Sequence, residues 1–550
     1  MIFSYFLMRG LAKEIIFAYE FLCLFVFGFL SSDFLSFFLS YAASLFYVCF
    51  CHFFSLGLII VIRFDSRKVN YERIQAIHHS FWTMKTLIEF FSGRSNVQRL
   101  YPRCYEDVLD ILQQATDNGT PVKVTGGTFP TRHHTTDIVI DLRYMNKLIG
   151  LDVTTSTVIV ESGIILSDLE SILESVALSI DSFGRIPNLT VVDAISVGAF
   201  GGNASLLSSI ASIEVILSNG KIMSWNWERN PVEMKTVCCG LGMAGVIISA
   251  TFKCIPIQKF TEVSYLCSIR DVMEQWSMQF KSSFCQQLTW FPFSELMVMT
   301  HLNPSDPYSN ESSQPWLNFV LEKAFDYFSW FIRQIGIFAS QYDAPVFNSV
   351  LSRIQFIAQW SIAKNRSDYS HSPIRFWSPN ESCQWTAWLI PQDKLPHVLY
   401  NISAWANSHP NSDTICGISP LFIQSLKVDK NMIQKKPYLA PYLDRPAVTV
   451  WYDWFIPKID PNPIAISEFE DIFHSVGAVR AWYGERLTSP LVLNHIFKKY
   501  EKWCSIKSRL DSENILNSAY IHGTVYSPCF RKSLNECSSI SSSMLSLFAI

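Results

Sequence analysis

Charged side chains are scarce in this 550-residue chain: Asp, Glu, Lys and Arg together make up 17%, against 49% hydrophobic residues. The 44 Lys and Arg nearly cancel the 47 Asp and Glu, leaving a net charge of −3. No basic stripe of the kind a nucleic-acid surface requires is present, so nucleic acid is not an expected partner. The 14 cysteines form no paired metal-ligand spacing, which argues against a zinc site and a disulfide framework, and no metal is expected. No glycine-rich turn continues into the Gly-Lys-Ser/Thr of a phosphate-binding P-loop, and none has the regular Gly-x-Gly-x-x-Gly of a Rossmann unit.

The shortage of charge is local. From Phe34 to Ile62 there is no Asp, Glu, Lys or Arg, a run longer than the ~20 residues a helix needs to cross a bilayer. A transmembrane helix is expected there. The apolar run Ile15 to Leu30 carries Glu20 and is either a second span or an interfacial helix. A cleaved signal peptide is the competing reading, but the apolar region far exceeds a signal core of about 7 to 15 residues. Arg63, Arg67, Lys68 and Arg73 follow the long run, which by the positive-inside rule puts the remaining chain on the cytosolic side. The length favours two or three folded units. The expected division is a membrane anchor over 1–70, a first domain over 93–258, a second over 259–525 and a tail over 526–550.

Beyond the anchor the chain alternates short strands and helices. Val108, Ile111, Leu112 and Ala115 recur at helical spacing before the stop Asn118-Gly119. Val122 to Val124, Ile138 to Leu142 and Val158 to Val160 read as strands, and Leu166 to Val176 reads as a helix. Ile213 to Leu217 is a strand closed by the hairpin signal Asn219-Gly220, and Val246 to Phe252 is another. Glycine-bearing turns flank these strands at Gly126-Gly127, at Gly198 to Gly202 and at Gly240 to Gly245. Each alone is ordinary turn chemistry. Repeated in one domain, they let backbone N–H groups approach a dinucleotide closely.

The wording of these turns resembles the FAD-linked oxidases of the vanillyl-alcohol oxidase type, and within them the L-gulono-1,4-lactone and D-arabinono-1,4-lactone oxidases. Val122-Lys123-Val124-Thr125-Gly126-Gly127-Thr128-Phe129-Pro130-Thr131 looks like the family's first FAD loop, and Val160 to Leu169 is similar to its "VEAGILLADL" strand and turn. Leu189 through Gly201 stands where the second flavin loop lies, and Gly240 to Ile247 where the third strand begins. Trp290-Phe291-Pro292, Trp385 to Pro391 and Trp503 to Tyr520 resemble later family motifs in their order. The resemblance implies an α+β fold: a two-subdomain FAD-binding domain followed by a cap or substrate domain whose antiparallel sheet covers the flavin. The implied cofactor-binding residues are Gly126, Gly127, Thr128, Phe129, Pro130, Thr131, Ser196, Gly198, Phe200, Gly201, Gly245, Val246 and Ile247.

Departures from the family fall where chemistry is expected. The histidine that attaches FAD covalently is replaced by Thr128 or Phe129, so FAD is expected to be held noncovalently; His133 and His134 read as solvated loop residues, with substitution of one of them for the missing histidine as the alternative. Phe200 replaces the second loop's histidine. Ser419 and Leu421 are taken as the equivalents of the family's Glu-x-Arg pair, while Trp482 and Glu485 stand for its histidine and lysine. Reversing that last charge is not conservative. The expected activity is hydride transfer from a CH–OH carbon of a sugar lactone, or of another hydroxyl substrate, to FAD. The alternative is a catalytically degenerate FAD-binding membrane protein with a different redox or partner-binding role, and a third reading is a sterol or lipid reductase of the same superfamily. The aromatic segment Pro315 to Trp360 is either a membrane-surface helix or a buried helix of the cap, and the Ser-rich tail after Tyr526 carries no usable motif.

Overall fold

Short β-branched runs bounded by glycine and proline build the first lobe. In chain order its strands are β1 (Gln98–Leu100), β2 (Val122–Thr125), β3 (Ile138–Asp141), β4 (Leu148–Asp152), β5 (Thr157–Glu161), β6 (Leu178–Ser179), β7 (Phe200–Gly201), β8 (Ala204–Ser205), β9 (Ile210–Ile216), β10 (Ile222–Asn226), β11 (Val246–Lys253) and β12 (Ile255–Pro256). The computed structural model describes residues 98–127, 138–186, 188–201, 204–279, 285–292, 294–304, 354, 356–357, 360, 369–370, 383–408, 420–428, 430–441, 444–455, 463–483 and 490–516. The expected membrane segments, His133, His134, most of the aromatic segment after Pro315 and the tail lie outside these residues. Among the described residues no helix is long and apolar enough to cross a membrane.

Strands β1, β3 and β2 form a parallel sheet in that order, and β10-β9-β11-β5-β4 form an antiparallel one. Helix α1 (Tyr105–Asp117) carries Glu106 and Asp107 in its first turn, where the positive end of the helix favours them. It buries Val108, Leu112 and Ala115 and stops at Asn118 and Gly119, as the periodicity predicts. Helix α2 (Leu166–Glu174) buries Leu166, Leu169 and Leu173 on one face. Asn219-Gly220 makes the turn between β9 and β10, with the Gly220 N–H donating to Leu217 O across 2.9 Å.

The second lobe is one eight-stranded antiparallel sheet, ordered β16-β13-β15-β14-β18-β19-β17-β20. Its strands are β13 (Lys259–Ser268), β14 (Cys285–Trp290), β15 (Leu296–Pro304), β16 (Tyr369–Ser370), β17 (Cys383–Pro391), β18 (Leu421–Leu426), β19 (Ala447–Phe455) and β20 (Val479–Arg480). Side chains alternate between its faces. Leu288, Trp290, Trp388, Leu421, Ile423, Val450 and Tyr452 form a core with the buried side chains of helices over 269–279, 395–408 and 463–474. From the opposite face, Ala387, Leu389, Phe422, Leu426 and Trp451 join the core of the first lobe. The two lobes therefore share one hydrophobic interior along this face.

The chain then returns to the first lobe through a helix over Tyr500–Leu510. Trp503 Nε1 donates to Thr236 O across 3.0 Å. Beyond the helix, the Val122 N–H donates to Ile515 O across 2.8 Å, and Val122 and Leu516 form a parallel bridge at the edge of the first sheet. The ammonium of Lys507 and the carboxylate of Asp511, both fully buried, meet at 2.9 Å and fix this return. Asp511 also accepts the N–H groups of Ile515 and Leu516 at 3.1 and 3.0 Å.

Candidate active site

The glycine turns meet through contacts that a side chain would block. At the end of β2 the Gly126 N–H donates to the carboxylate of Asp193 across 2.8 Å. A Cβ on Gly126 would lie 1.6 Å from Thr190 Oγ1, so only glycine lets the first turn seat on the second. Thr190 caps helix α3 (Val191–Val197), which ends at Gly198 and delivers the chain into Phe200 and Gly201. A Cβ on Gly201 would lie 2.6 Å from the carbonyl carbon of Gly184 and 2.8 Å from the Arg185 nitrogen, so a further loop, 182–186, closes on this turn. Ser182 Oγ donates to Gly201 O across 2.8 Å.

Asp141 supports Gly127. Its carboxylate accepts from Arg99 at 3.1 Å and from Arg143 at 2.6 and 3.0 Å, and Arg143 Nη2 reaches Gly127 O at 3.5 Å. The N–H groups of Gly126 and Gly127 are taken by Asp193 and by Thr125 Oγ1. Thr128, Phe129, Pro130 and Thr131 lie outside the described residues. Gly245 precedes β11, in which Val246 and Ile247 are buried, and Ile247 O accepts from Ser162 Oγ at 2.6 Å. Ser196 is half-buried on α3, and its carbonyl accepts the Leu241 N–H at 3.2 Å.

Where the second turn meets the cap sheet, Phe200 is fully buried against Trp451 and Tyr483, with ring centroids 5.3 and 5.7 Å away. The Phe200 N–H donates to the Tyr483 phenol oxygen across 3.2 Å. Burial pushes the Tyr483 phenol well above its ordinary range, and this N–H donor only partly offsets it. The Arg185 guanidinium is 2% exposed and lies 4.6 Å from the Phe422 ring centroid and 5.4 Å from that of Trp451. A buried cation therefore stands between the second turn and the cap sheet.

The register places two of the family-equivalent positions. Leu421 points into the helix-side core, away from the first lobe, because strand neighbours alternate faces; Phe422 and Gln424 occupy the inner face instead. Trp482 is buried, but its Nε1 donates to Leu439 O across 2.7 Å and its ring stacks on Phe497 at 5.6 Å. The next residue, Tyr483, is the one that reaches Phe200. Ser419 and Glu485 lie outside the described residues.

Comparison with known proteins follows the same division. The FAD binding domain family matches residues 98–226, and the D-arabinono-1,4-lactone oxidase family matches residues 250–524, half of the chain. L-gulonolactone oxidase of Mus musculus is 21% identical over 447 residues, covering 77% of this chain and 94% of that protein. D-arabinono-1,4-lactone oxidase of Yarrowia lipolytica is 23% identical over 258 residues, covering 44% and 48%. Cholesterol oxidase from B. sterolicum superposes with a TM-score of 0.60 at 13% identity, covering 77% of this chain and 93% of that one, a likeness of fold. The close-set glycines fit the match to an FAD binding domain, since a Cβ at Gly126 or Gly201 would force these turns apart. The chain belongs to the D-arabinono-1,4-lactone oxidase family, and its cofactor is FAD.

Proposed function

We propose that this protein is a membrane-anchored, FAD-dependent oxidoreductase that oxidises a CH–OH carbon of a sugar lactone where the glycine turns meet the cap sheet. The observation that supports this reading is the shared interior: the cap face bearing Phe422 and Trp451 packs against the turn bearing Phe200. FAD would supply the hydride-accepting chemistry. The chain's own residues shape and charge the junction. Phe200, Trp451 and Tyr483 form an aromatic wall that excludes water, and Arg185 contributes a permanent positive charge held over Phe422. With Thr128 and Phe129 in place of a histidine, FAD is held noncovalently. The uncharged run Phe34 to Ile62 anchors the protein, and the cations that follow it keep the catalytic lobes on the cytosolic side.

A second reading has its own support. Neither Phe422 nor Gln424 can act as an acid or base near neutral pH, and the Trp482 N–H is spent on a backbone carbonyl. These features favour a redox or partner-binding role other than lactone oxidation. One experiment separates the two. The purified protein is checked for flavin absorbance and mixed without oxygen with L-gulono-, L-galactono- and D-arabinono-1,4-lactone. Bleaching of an acid-releasable flavin is the outcome expected of a lactone oxidoreductase. Bound flavin that no lactone reduces would support the second reading, and protein free of flavin would overturn both.

A further inference from the structure

The inner face of the cap sheet carries a transverse row of uncharged polar side chains. Register aligns Ser264 with Thr300, Thr300 with Gln287, Gln287 with Gln424 and Gln424 with Thr449 across five adjacent strands. The flanks of this row are satisfied: Ser264 Oγ and Thr300 Oγ1 share a hydrogen bond of 2.9 Å, and Thr449 Oγ1 accepts from Trp451 Nε1 at 3.1 Å. The centre is different. Gln287 is 1% exposed, and neither its amide nitrogen nor its amide oxygen has a hydrogen-bond partner among the described residues.

A buried carboxamide without partners is costly, so such a group calls for a reason. Its direction supplies one. Leu288 and Trp290 point into the helix-side core, so Gln287 points to the opposite face of the sheet, where Phe422 and Trp451 of neighbouring strands join the first lobe and Phe291, beyond its own strand, packs on Val298 and Phe356. On that face Gln424 is its direct cross-strand neighbour, and Phe422, two residues along the same strand, lies beneath Arg185. A carboxamide offers one acceptor and two donors, which complements hydroxyl groups that both give and take a hydrogen bond. A lone buried carboxylate or ammonium would match only half of that pattern.

We propose that Gln287 is a substrate-binding residue, its amide completed by hydroxyl groups of a neutral polyhydroxylated ligand lying on the Gln287–Gln424 row. This rests on the proposed lactone-oxidising function and assigns it a specificity residue on the strand that leads into Trp290-Phe291. Discrimination then comes from the ligand's hydroxyls, because an analogue lacking one leaves the amide unpaired again.

The test compares the full-length, FAD-loaded protein with its Gln287→Leu and Gln287→Met variants, which keep the volume and remove the polar atoms. Three quantities are measured: FAD-to-protein ratio, melting temperature, and affinity for L-gulono-1,4-lactone and for sorbitol, read from the ligand-induced rise in melting temperature. The expected result is an unchanged FAD ratio, a ligand-free melting temperature equal to or above that of the parent, and affinity weakened about tenfold or more in both variants. Parent-like affinity in either variant, lower ligand-free melting temperatures in both, or no binding of either ligand by the parent would overturn the proposal. Binding that weakens as expected while no lactone reduces the flavin would keep the Gln287 assignment and sink the lactone-oxidation reading. Lactone reduction with parent-like affinity in the variants would do the reverse.

Discussion

Phe200 and Tyr483 lie far apart in sequence, yet the backbone N–H of one donates to the phenol oxygen of the other across 3.2 Å in a fully buried setting. Tyr483→Phe deletes the phenol oxygen and with it this buried hydrogen bond. The expected cost is about 0.5–1.5 kcal/mol in urea denaturation of the purified protein. Because burial holds the phenol neutral, no tyrosinate absorbance from this residue should develop in the folded protein as pH rises through 10.

Gly126 tests the cradle itself. In Gly126→Ala the new methyl would sit 1.6 Å from Thr190 Oγ1 and 2.7 Å from Asp193 Oδ2, so the first turn must lift off the second. FAD occupancy of the purified variant should fall to a small fraction of the parent's, measured as the ratio of flavin to protein absorbance. Adding Thr190→Gly removes the collision with Thr190 but not that with Asp193 Oδ2, costs only a few tenths of a kcal/mol at the helix cap, and should recover part of the occupancy. Parent-like occupancy in the single variant would show that the two turns need not touch for FAD to bind.

The secondary structure of the first lobe was legible because its strands are β-branched runs ended by glycine, and α1 shows its apolar face at helical spacing. The register of the cap was not. Leu421-Phe422-Ile423-Gln424 is buried on both faces, so no alternation of polar and apolar residues tells which side meets the first lobe. A slip of one residue exchanges the faces, so the sequence alone does not tell whether Leu421 or Phe422 and Gln424 face the first lobe. Trp482 and Tyr483 differ in the same way. Arg185 carries no periodic signal, being one cation in a loop between Gly184 and Ile186. Gln286-Gln287, adjacent polar residues in a strand leading to Trp290, was the available sign of an unusual interior.

The return of the chain to β2 depends on a buried ion pair. Asp511→Ala would remove the carboxylate that the buried Lys507 ammonium meets at 2.9 Å, leaving it the neutral acceptor Asn514 Oδ1, and would free the Ile515 and Leu516 N–H groups. A loss of about 3–5 kcal/mol in denaturant unfolding is expected. Replacing both partners in Lys507→Met/Asp511→Leu removes the stranded charge but not the stranded N–H groups. The double variant should therefore be more stable than Asp511→Ala and less stable than the parent.

His301 gives the cap a pH response with a defined sign. Its Nε2 lies 2.8 Å from Tyr265 Oη, its Nδ1 lies 3.3 Å from Gln286 Nε2, and its ring stacks on Tyr265 at 5.3 Å. Burial lowers its pKa below the ordinary value of 6.5, so the unfolded chain takes up the proton more readily than the folded one. The contribution is fully present above about pH 6.5 and is lost as pH falls through the folded value. Carboxylates titrate lower: Asp152, held down to about 2 by the hydroxyl and N–H groups of Thr154 and Thr155, acts only in stronger acid. A melting curve recorded from pH 7.5 down to 5.5 should therefore show a shallow decline that His301→Gln flattens, while the steeper acid transition below about pH 4 stays in place. A decline of the same slope in the variant would assign the neutral-range response to another histidine.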